Sequence, residues 1–166
     1  MVAIDSDLES VAHVQRRLGD RVQALKQSIK LFWNGEAEPL GSFDLIYASG
    51  IYDYLPEDVA RRLTEGLFRR LKPNGKLWIA NYLMASPGAA YMEAFMDWWL
   101  LHRTEEQVRK LAEGIPAAEI RSFTEPQNCV CFVELTGGNK SSGTIRSAVR
   151  GGELLRPSPP CRRECG

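Results

Sequence analysis

The residues best placed to do chemistry in this chain are one acid flanked by aromatic rings, one late arginine, and a crowded aromatic stretch between them. Tyr52-Asp53-Tyr54 sets two rings around a carboxylate. Such a trio can wall a small pocket and orient what enters it; ordinary packing, with Asp53 capping the next helix, is the competing reading. Arg103 follows His102. A guanidinium can grip a carboxylate through two parallel hydrogen bonds, and a surface salt bridge explains it equally well. Tyr91, Phe95, Trp98 and Trp99 fall close together. That density reads either as core or as a lid over an apolar substrate. No residue stands out as a catalytic acid, base or nucleophile. Cys129 and Cys131 lie two apart and Cys161 and Cys165 sit near the end, a spacing that makes no metal site, so no metal is expected.

The elements that must position these residues centre on Phe43–Tyr82. Phe43–Ala48 is a short apolar run of strand formers. Pro56, Glu57 and Asp58 open a helix, with two acids at the positive end of its dipole. Val59, Ala60, Leu63, Leu67, Phe68 and Leu71 recur at helical spacing on one face, opposite Arg61, Arg62, Glu65, Arg69 and Arg70. Lys72-Pro73-Asn74-Gly75 is read as a stop and turn, and 76–81 as a second strand. The pattern predicts a βαβ unit with parallel strands and a right-handed crossover. Ligands of such sheets sit beyond the carboxyl ends of the strands, here 49–54 and 81–84.

Upstream, Val2–Ile4 reads as the end of a strand, followed by a helix to about Leu18 with a Ser6/Glu9 capping box and Asp7 as a first-turn acid. Val22–Ile29 is expected as a strand and 34–42 as loop. Downstream, 89–101 is expected as a helix apolar nearly all round. A second helix opens on a Thr104/Gln107 capping box and runs to about Glu113. Strands at 119–123 and 129–135 are joined by a connection short enough to make them antiparallel neighbours. From Gly137 the apolar pattern dissolves, so 137–166 is expected as a disordered basic tail and 1–136 as the folded domain.

Composition is that of a globular chain, 44% apolar and 25% charged, with zero formal net charge. Six basic and two acidic residues fall in 137–166, which leaves the body slightly acidic. That argues against a nucleic-acid partner. No apolar run is long enough to span a membrane and no leader pattern opens the chain. Reduced thiols in a cytoplasmic protein are the expected state of the cysteines.

Three stretches carry a family resemblance: VAIDSD, FDLIYASGIYDYLP and LKPNGKLWIANY. Over about 1–136 the chain resembles class I S-adenosylmethionine (SAM) dependent methyltransferases. The resemblance implies an α/β, Rossmann-like three-layer sandwich, with a mostly parallel sheet and a C-terminal antiparallel hairpin. It implies SAM as cofactor, with Asp5 accepting from the ribose hydroxyls (N-capping is the alternative), Ser28 and Ile29 beside adenine, and Ser49 and Gly50 bordering the methionine end. Tyr52, Asp53, Tyr54, Tyr91, Trp98 and Arg103 then face substrate. GIYDYLPEDVARRL and AYMEAFMDWWLLHRTEEQV look like bacterial methyltransferases that make methyl esters of hydroxy fatty acids. The substrate implied is a small, lipid-like carboxylic acid.

The chain departs from that family in one respect. The family's first strand and its G-x-G-x-G loop have no counterpart in this sequence, so the chain is expected to be N-terminally truncated. A central strand is then absent, SAM binding by the chain alone is expected to be weak, and unpaired strand edges invite self-association. Two other functions fit the same strand–acid–helix opening: a nicotinamide-dependent dehydrogenase, and a non-catalytic remnant acting as an interaction module.

Overall fold

The computed structural model describes residues 1–139. The expected tail from 140 onward lies outside the described residues. Its first residue does not behave as tail: Gly137 donates its N–H to the Gly75 carbonyl at 2.8 Å and accepts from Asn74 N–H at 3.2 Å. These two bonds tie Gly137 to residues 74 and 75.

The first unit is β1 (Val2–Asp5), α1 (Leu8–Leu18) and β2 (Gln23–Lys26), with β1 and β2 parallel and Asp5 opposite Lys26. Its helix starts differently from expectation. Asp7, not Ser6, is the N-cap, and its carboxylate accepts from Ser10 N–H at 2.7 Å. Asp5 Oδ1 accepts from Asp7 N–H at 2.8 Å, which fixes the turn that makes Asp7 available. Gly19, at φ 56°, ends the helix. β2 is shorter than expected because Ser28 caps a 3₁₀ turn, Ile29–Phe32.

The second unit is the predicted βαβ: β3 (Phe43–Ala48), α2 (Glu57–Arg69) and β4 (Leu71–Tyr82). The residues expected as a stop and turn are absorbed into β4. Phe43 lies opposite Leu71 and Leu45 opposite Lys76, so 72–75 bulge out of the ladder. Asn74 takes a positive φ of 59° there. A Cβ at Gly75 would stand 2.9 Å from the Phe43 carbonyl, which explains the glycine.

Beyond β4, α3 spans Ala89–Met96. The predicted helix to Leu101 stops early because Asp97 adopts the left-handed conformation, φ 49° and ψ 37°, and sends its N–H to Met92. α4 (Glu105–Lys110) carries the predicted Thr104/Gln107 capping box. β5 (Glu119–Thr124) and β6 (Val130–Thr136) form the predicted hairpin. β6 also pairs antiparallel with β4.

These strands form two sheets, β1-β2 and β3-β4-β6-β5, not the single sheet expected. Among the described residues no strand pairs with the outer edge of β3 or of β1. The core lies on one face of the larger sheet. Ala60, Leu63 and Leu67 of α2, Val108 of α4, and Leu111 just after it close over Leu77, Ile79, Val133 and Leu135. Among the described residues the opposite face of this sheet leaves Tyr47 and Phe123 exposed, so the third layer expected there is not seen.

Gly66 sits where α2 meets the 29–32 turn, and a Cβ there would be 2.5 Å from the Phe32 carbonyl oxygen. Gly66→Ala is expected to cost about 2–3 kcal/mol. Gly88 has open space around its Cβ position, so Gly88→Ala should stay within about 0.5 kcal/mol. Urea titration of both variants checks the contrast.

Candidate functional site at the strand carboxyl ends

Two groups of expected site residues gather at the carboxyl ends of the parallel strands. The first spans the ends of β1 and β2 in the smaller sheet and of β3 in the larger. Asp5 is exposed at the end of β1, and one carboxylate oxygen is held by Asp7. Its other oxygen makes no hydrogen bond among the described residues, so it can accept from a ligand hydroxyl. Ser28 is exposed and its hydroxyl accepts from Lys30 N–H at 3.3 Å. Ile29 packs on the core. Ser49 and Gly50, at the end of β3, are exposed, and Gly50 has φ 74° with open space around it. No hydrogen bond links Asp5 or Ser28 to Ser49 or Gly50 among the described residues.

The second group is tightly connected, and its centre is Arg103, which is 7% exposed. Nη1 donates to the Tyr52 carbonyl at 2.8 Å and to Asn81 Oδ1; Nη2 donates to the Leu55 carbonyl at 2.5 Å. The Arg103 backbone donates to Tyr82 O and accepts from Met84 N–H, each at 3.1 Å. Asn81, fully buried, uses its amide on the Leu101 and Tyr82 carbonyls at 3.0 and 2.9 Å. Asp53 Oδ1 accepts from Tyr82 N–H at 2.7 Å, and its carbonyl accepts from Leu101 N–H at 2.7 Å. The loop after β3, the end of β4 and the 101–103 segment are thus tied into one piece.

This geometry corrects three expectations. Tyr52 does not wall a pocket: its ring is fully buried in the core and its hydroxyl bonds to Thr64 Oγ1 at 3.0 Å. Since Thr64 donates to the Ala60 carbonyl at 2.8 Å, Tyr52 is the donor of that pair. Asp53 caps no helix; the N-cap of α2 is Pro56, with no side-chain hydrogen bond. Arg103 does not offer its guanidinium to a substrate carboxylate, because it is buried against backbone carbonyls.

Of the rings expected to face substrate, Tyr54, Trp98 and Tyr91 are the ones near open space. Tyr54 is half exposed and its hydroxyl accepts from Trp98 Nε1 at 2.5 Å. Trp98 packs edge-on against Tyr82, and Tyr91 stacks on Phe95 with centroids 5.2 Å apart. Two cavities of about 540 and 250 Å³ lie elsewhere, lined by residues such as Leu71, Pro73 and Gly137 or Trp33 and Arg70 at the amino end of the sheet.

Burial governs the electrostatics. Desolvation raises the pKa of Asp53, against the lowering effect of its hydrogen bond from Tyr82 and of the Arg103 charge. Desolvation also raises that of the Tyr52 phenol and lowers that of Arg103. The Nε2 of His102 is buried without a hydrogen-bond partner. Asn81 is the residue that sequence reasoning passed over. Its signal was a lone amide inside the apolar run LWIANY, since a buried amide must find partners.

No protein-family model matches the sequence, and no curated protein matches it. Solved structures do. A possible exported protein of Bordetella parapertussis superposes with a TM-score of 0.66 at 19% identity, over 82% of this chain and 53% of that one. An O-methyltransferase family protein of Burkholderia thailandensis gives 0.63 at 15%, over 84% and 43%. The magnesium protoporphyrin IX methyltransferase of Synechocystis PCC 6803, with bound S-adenosylhomocysteine, gives 0.57 at 12%, over 82% and 63%. Over the part they share, the chain has the same fold as these structures. It spans about half the length of the Bordetella protein.

Removing the Arg103 guanidinium leaves the Leu55 carbonyl and the Asn81 amide oxygen without this donor, at about 1–3 kcal/mol each, while the Tyr52 carbonyl keeps its bond from Leu55 N–H. Arg103→Ala should cost about 3 kcal/mol or more, and Arg103→Lys, which has no planar fork, should recover less than half in urea titration. Asp53→Asn tests the raised carboxyl. The folded state holds this proton more tightly than the unfolded chain, so the wild type loses stability as pH rises from about 3.8 through the folded pKa. Asparagine keeps an acceptor for Tyr82 and carries no charge. Its stability relative to wild type should therefore increase from pH 4 to 7, which melting curves across that range measure.

Proposed function

We propose that this chain serves SAM-dependent methyl transfer to the carboxylate of a small apolar or hydroxy fatty acid. The observation that carries the reading is the paired arrangement at the strand carboxyl ends. Asp5 has an oxygen free for a diol, and a rigid Asn81–Arg103 lock sets the position of Tyr54 and Trp98 in a methyltransferase fold. The donor set fits the ribose end of the cofactor, because a carboxylate with one open oxygen can accept from vicinal hydroxyls. Ser28 and Ile29 would lie beside the base, and Ser49 and Gly50 beside the amino-acid end. With no G-x-G-x-G stretch in the sequence, binding by this chain alone is expected to be weak.

SAM supplies a methyl group already activated as a sulfonium, so transfer depends on holding the acceptor in line. A carboxylate is ionised at neutral pH and needs no general base. The residues of this chain therefore act by position. Tyr54 accepts from Trp98 and keeps its own hydroxyl hydrogen free to donate to an acceptor carboxylate. Tyr91 and Trp98 offer apolar surface to a hydrocarbon chain. Asp53 and Arg103 hold the loop that carries Tyr54 and do not touch substrate. Among the described residues no helix is long and apolar enough to cross a membrane. Among the described residues Cys129 and Cys131 form no disulfide, and the setting we propose is a reducing, cytoplasmic one.

Thermal shift of the full chain with millimolar S-adenosylhomocysteine or NAD tests the cofactor. Stabilisation by S-adenosylhomocysteine, reduced in Asp5→Asn, is the expected result; stabilisation by NAD alone would sink the reading. Labelled SAM with a mixture of hydroxy fatty acids tests the acceptor. Label should enter lipid methyl ester and fall about tenfold in Tyr54→Phe, the scale of one lost hydrogen bond to a charged group. Label entering only protein or RNA would exclude the lipid acid.

A further inference from the structure

His102 is the polar side chain at the strand carboxyl ends that takes no part in the Arg103 network. Its segment runs beside the end of β4: Arg103 donates to the Tyr82 carbonyl, accepts from Met84 N–H and forms a parallel bridge opposite Leu83. Leu83 and Arg103 are both buried. Extended residues alternate sides, so His102, one residue earlier, turns the way Tyr82 and Met84 turn. Tyr82 leads to the other rings: it meets Trp98 edge-on, and Trp98 donates to Tyr54. His102 is therefore a polar ring on the side of the candidate site that carries Tyr54.

Its two nitrogens differ. Nε2 is sealed from solvent and has no hydrogen-bond partner. Nothing laid over the surface changes that, because the atom is already out of reach. Nδ1 makes no hydrogen bond among the described residues either, but it is not sealed, and the side chain as a whole is only partly buried. A buried N–H without an acceptor is rarer than a buried acceptor without a donor. A doubly protonated ring would put such an N–H at Nε2. Burial therefore assigns the lone pair to Nε2 and the single proton to Nδ1, which makes the ring a hydrogen-bond donor with a fixed direction. The nearby indole N–H groups are already used, Trp98 on Tyr54 and Trp99 on Asp97 at 2.9 Å.

We propose that His102 contacts substrate, with Nδ1–H donating to the hydroxyl oxygen of a hydroxy acid and so setting the preference for it over the unsubstituted acid. This rests on the methyl acceptor proposed for the site and narrows it. Asp53 decides between the two polar groups of such a substrate, since it stands close enough to His102 for the two to interact electrostatically. A second carboxylate placed there would meet the Asp53 charge. A hydroxyl is neutral and accepts from an N–H without that penalty, which leaves the substrate carboxylate to Tyr54. An acid without the hydroxyl leaves the N–H to water and loses one hydrogen bond.

The chain has two histidines, and His13 is exposed. Nitrogen-15 NMR of the histidine-labelled full chain at about pH 8, above the usual histidine range, resolves them, and His102→Phe assigns the signal. A His102 ring with its proton on Nδ1 is expected; a proton on Nε2 overturns the proposal. The second arm is calorimetric binding of 3-hydroxydecanoate and of decanoate. The wild type should prefer the hydroxy acid about fivefold, the scale of one neutral hydrogen bond. His102→Phe should lose that preference and keep its melting temperature, because removing an unpartnered nitrogen removes no bond. His102→Asn, which keeps an N–H near the Nδ1 position, should retain most of the preference. Binding without a preference, a preference that survives His102→Phe, or no binding of either acid overturns the proposal. Neither arm uses SAM, so failure of label transfer, which sinks the methyltransferase reading, is separate from failure here.

Discussion

One buried guanidinium holds the working end of this protein together. Arg103 reaches from the segment after α3 into the junction between β3 and β4 and meets the Tyr52 and Leu55 carbonyls and the Asn81 amide. Each of those acceptors ends a segment that would otherwise be a loose loop. Desolvating a cation is costly, and the cost is offset only if the donors find partners. Arg103 finds them in two backbone carbonyls and the Asn81 amide oxygen, with no salt bridge to an acid among the described residues. A guanidinium suits this because its planar fork spans separated acceptors that an ammonium cannot reach together.

The same economy shapes the sheet. The larger sheet buries one face under α2, α4 and Leu111, with Leu77, Ile79, Val133 and Leu135 fully covered. Its other face keeps rings half in water and is organised by a single carboxylate, Glu134, shared between Lys76 and Trp78. The first unit has less hold on the rest. α1 buries no residue completely, and β1 joins only β2. The described chain therefore has one firm half, which carries Arg103 and Tyr54, and one lightly packed half, which carries Asp5.

Much of the fold was legible because local signals agreed. Helical spacing from Val59 to Phe68, the Thr104/Gln107 box, and the two short apolar runs around 124–128 each report on neighbours in sequence, and each element formed there, although Leu71 joined β4 and α4 ended at Lys110, short of the expected Glu113. Readings failed where two local options had similar energies. Ser6 and Asp7 could both cap α1, and the hydrogen bond from Asp7 to Asp5 settled it. The 89–101 run has helix-forming composition throughout, yet Asp97 turns left-handed and frees Trp98 to reach Tyr54 and Tyr82.

The sequence by itself determined which residues would stand at the strand carboxyl ends, because strand–helix–strand patterning dictates where each strand stops. It placed Asp5, Ser49, Gly50 and Tyr54 there from alternation and turn residues alone. Only the tertiary structure decided what each side chain faces. Tyr52 and Tyr54 are two apart with the same chemistry in reach, yet one is sealed in the core and the other open. Arg103 and Asn81 are 22 residues apart and read as a substrate-gripping or surface charge and a strand residue, yet they bond to each other. The reason is physical: a backbone pattern reports on neighbours along the chain, whereas burial and hydrogen-bond partners depend on segments that meet only when the sheet closes.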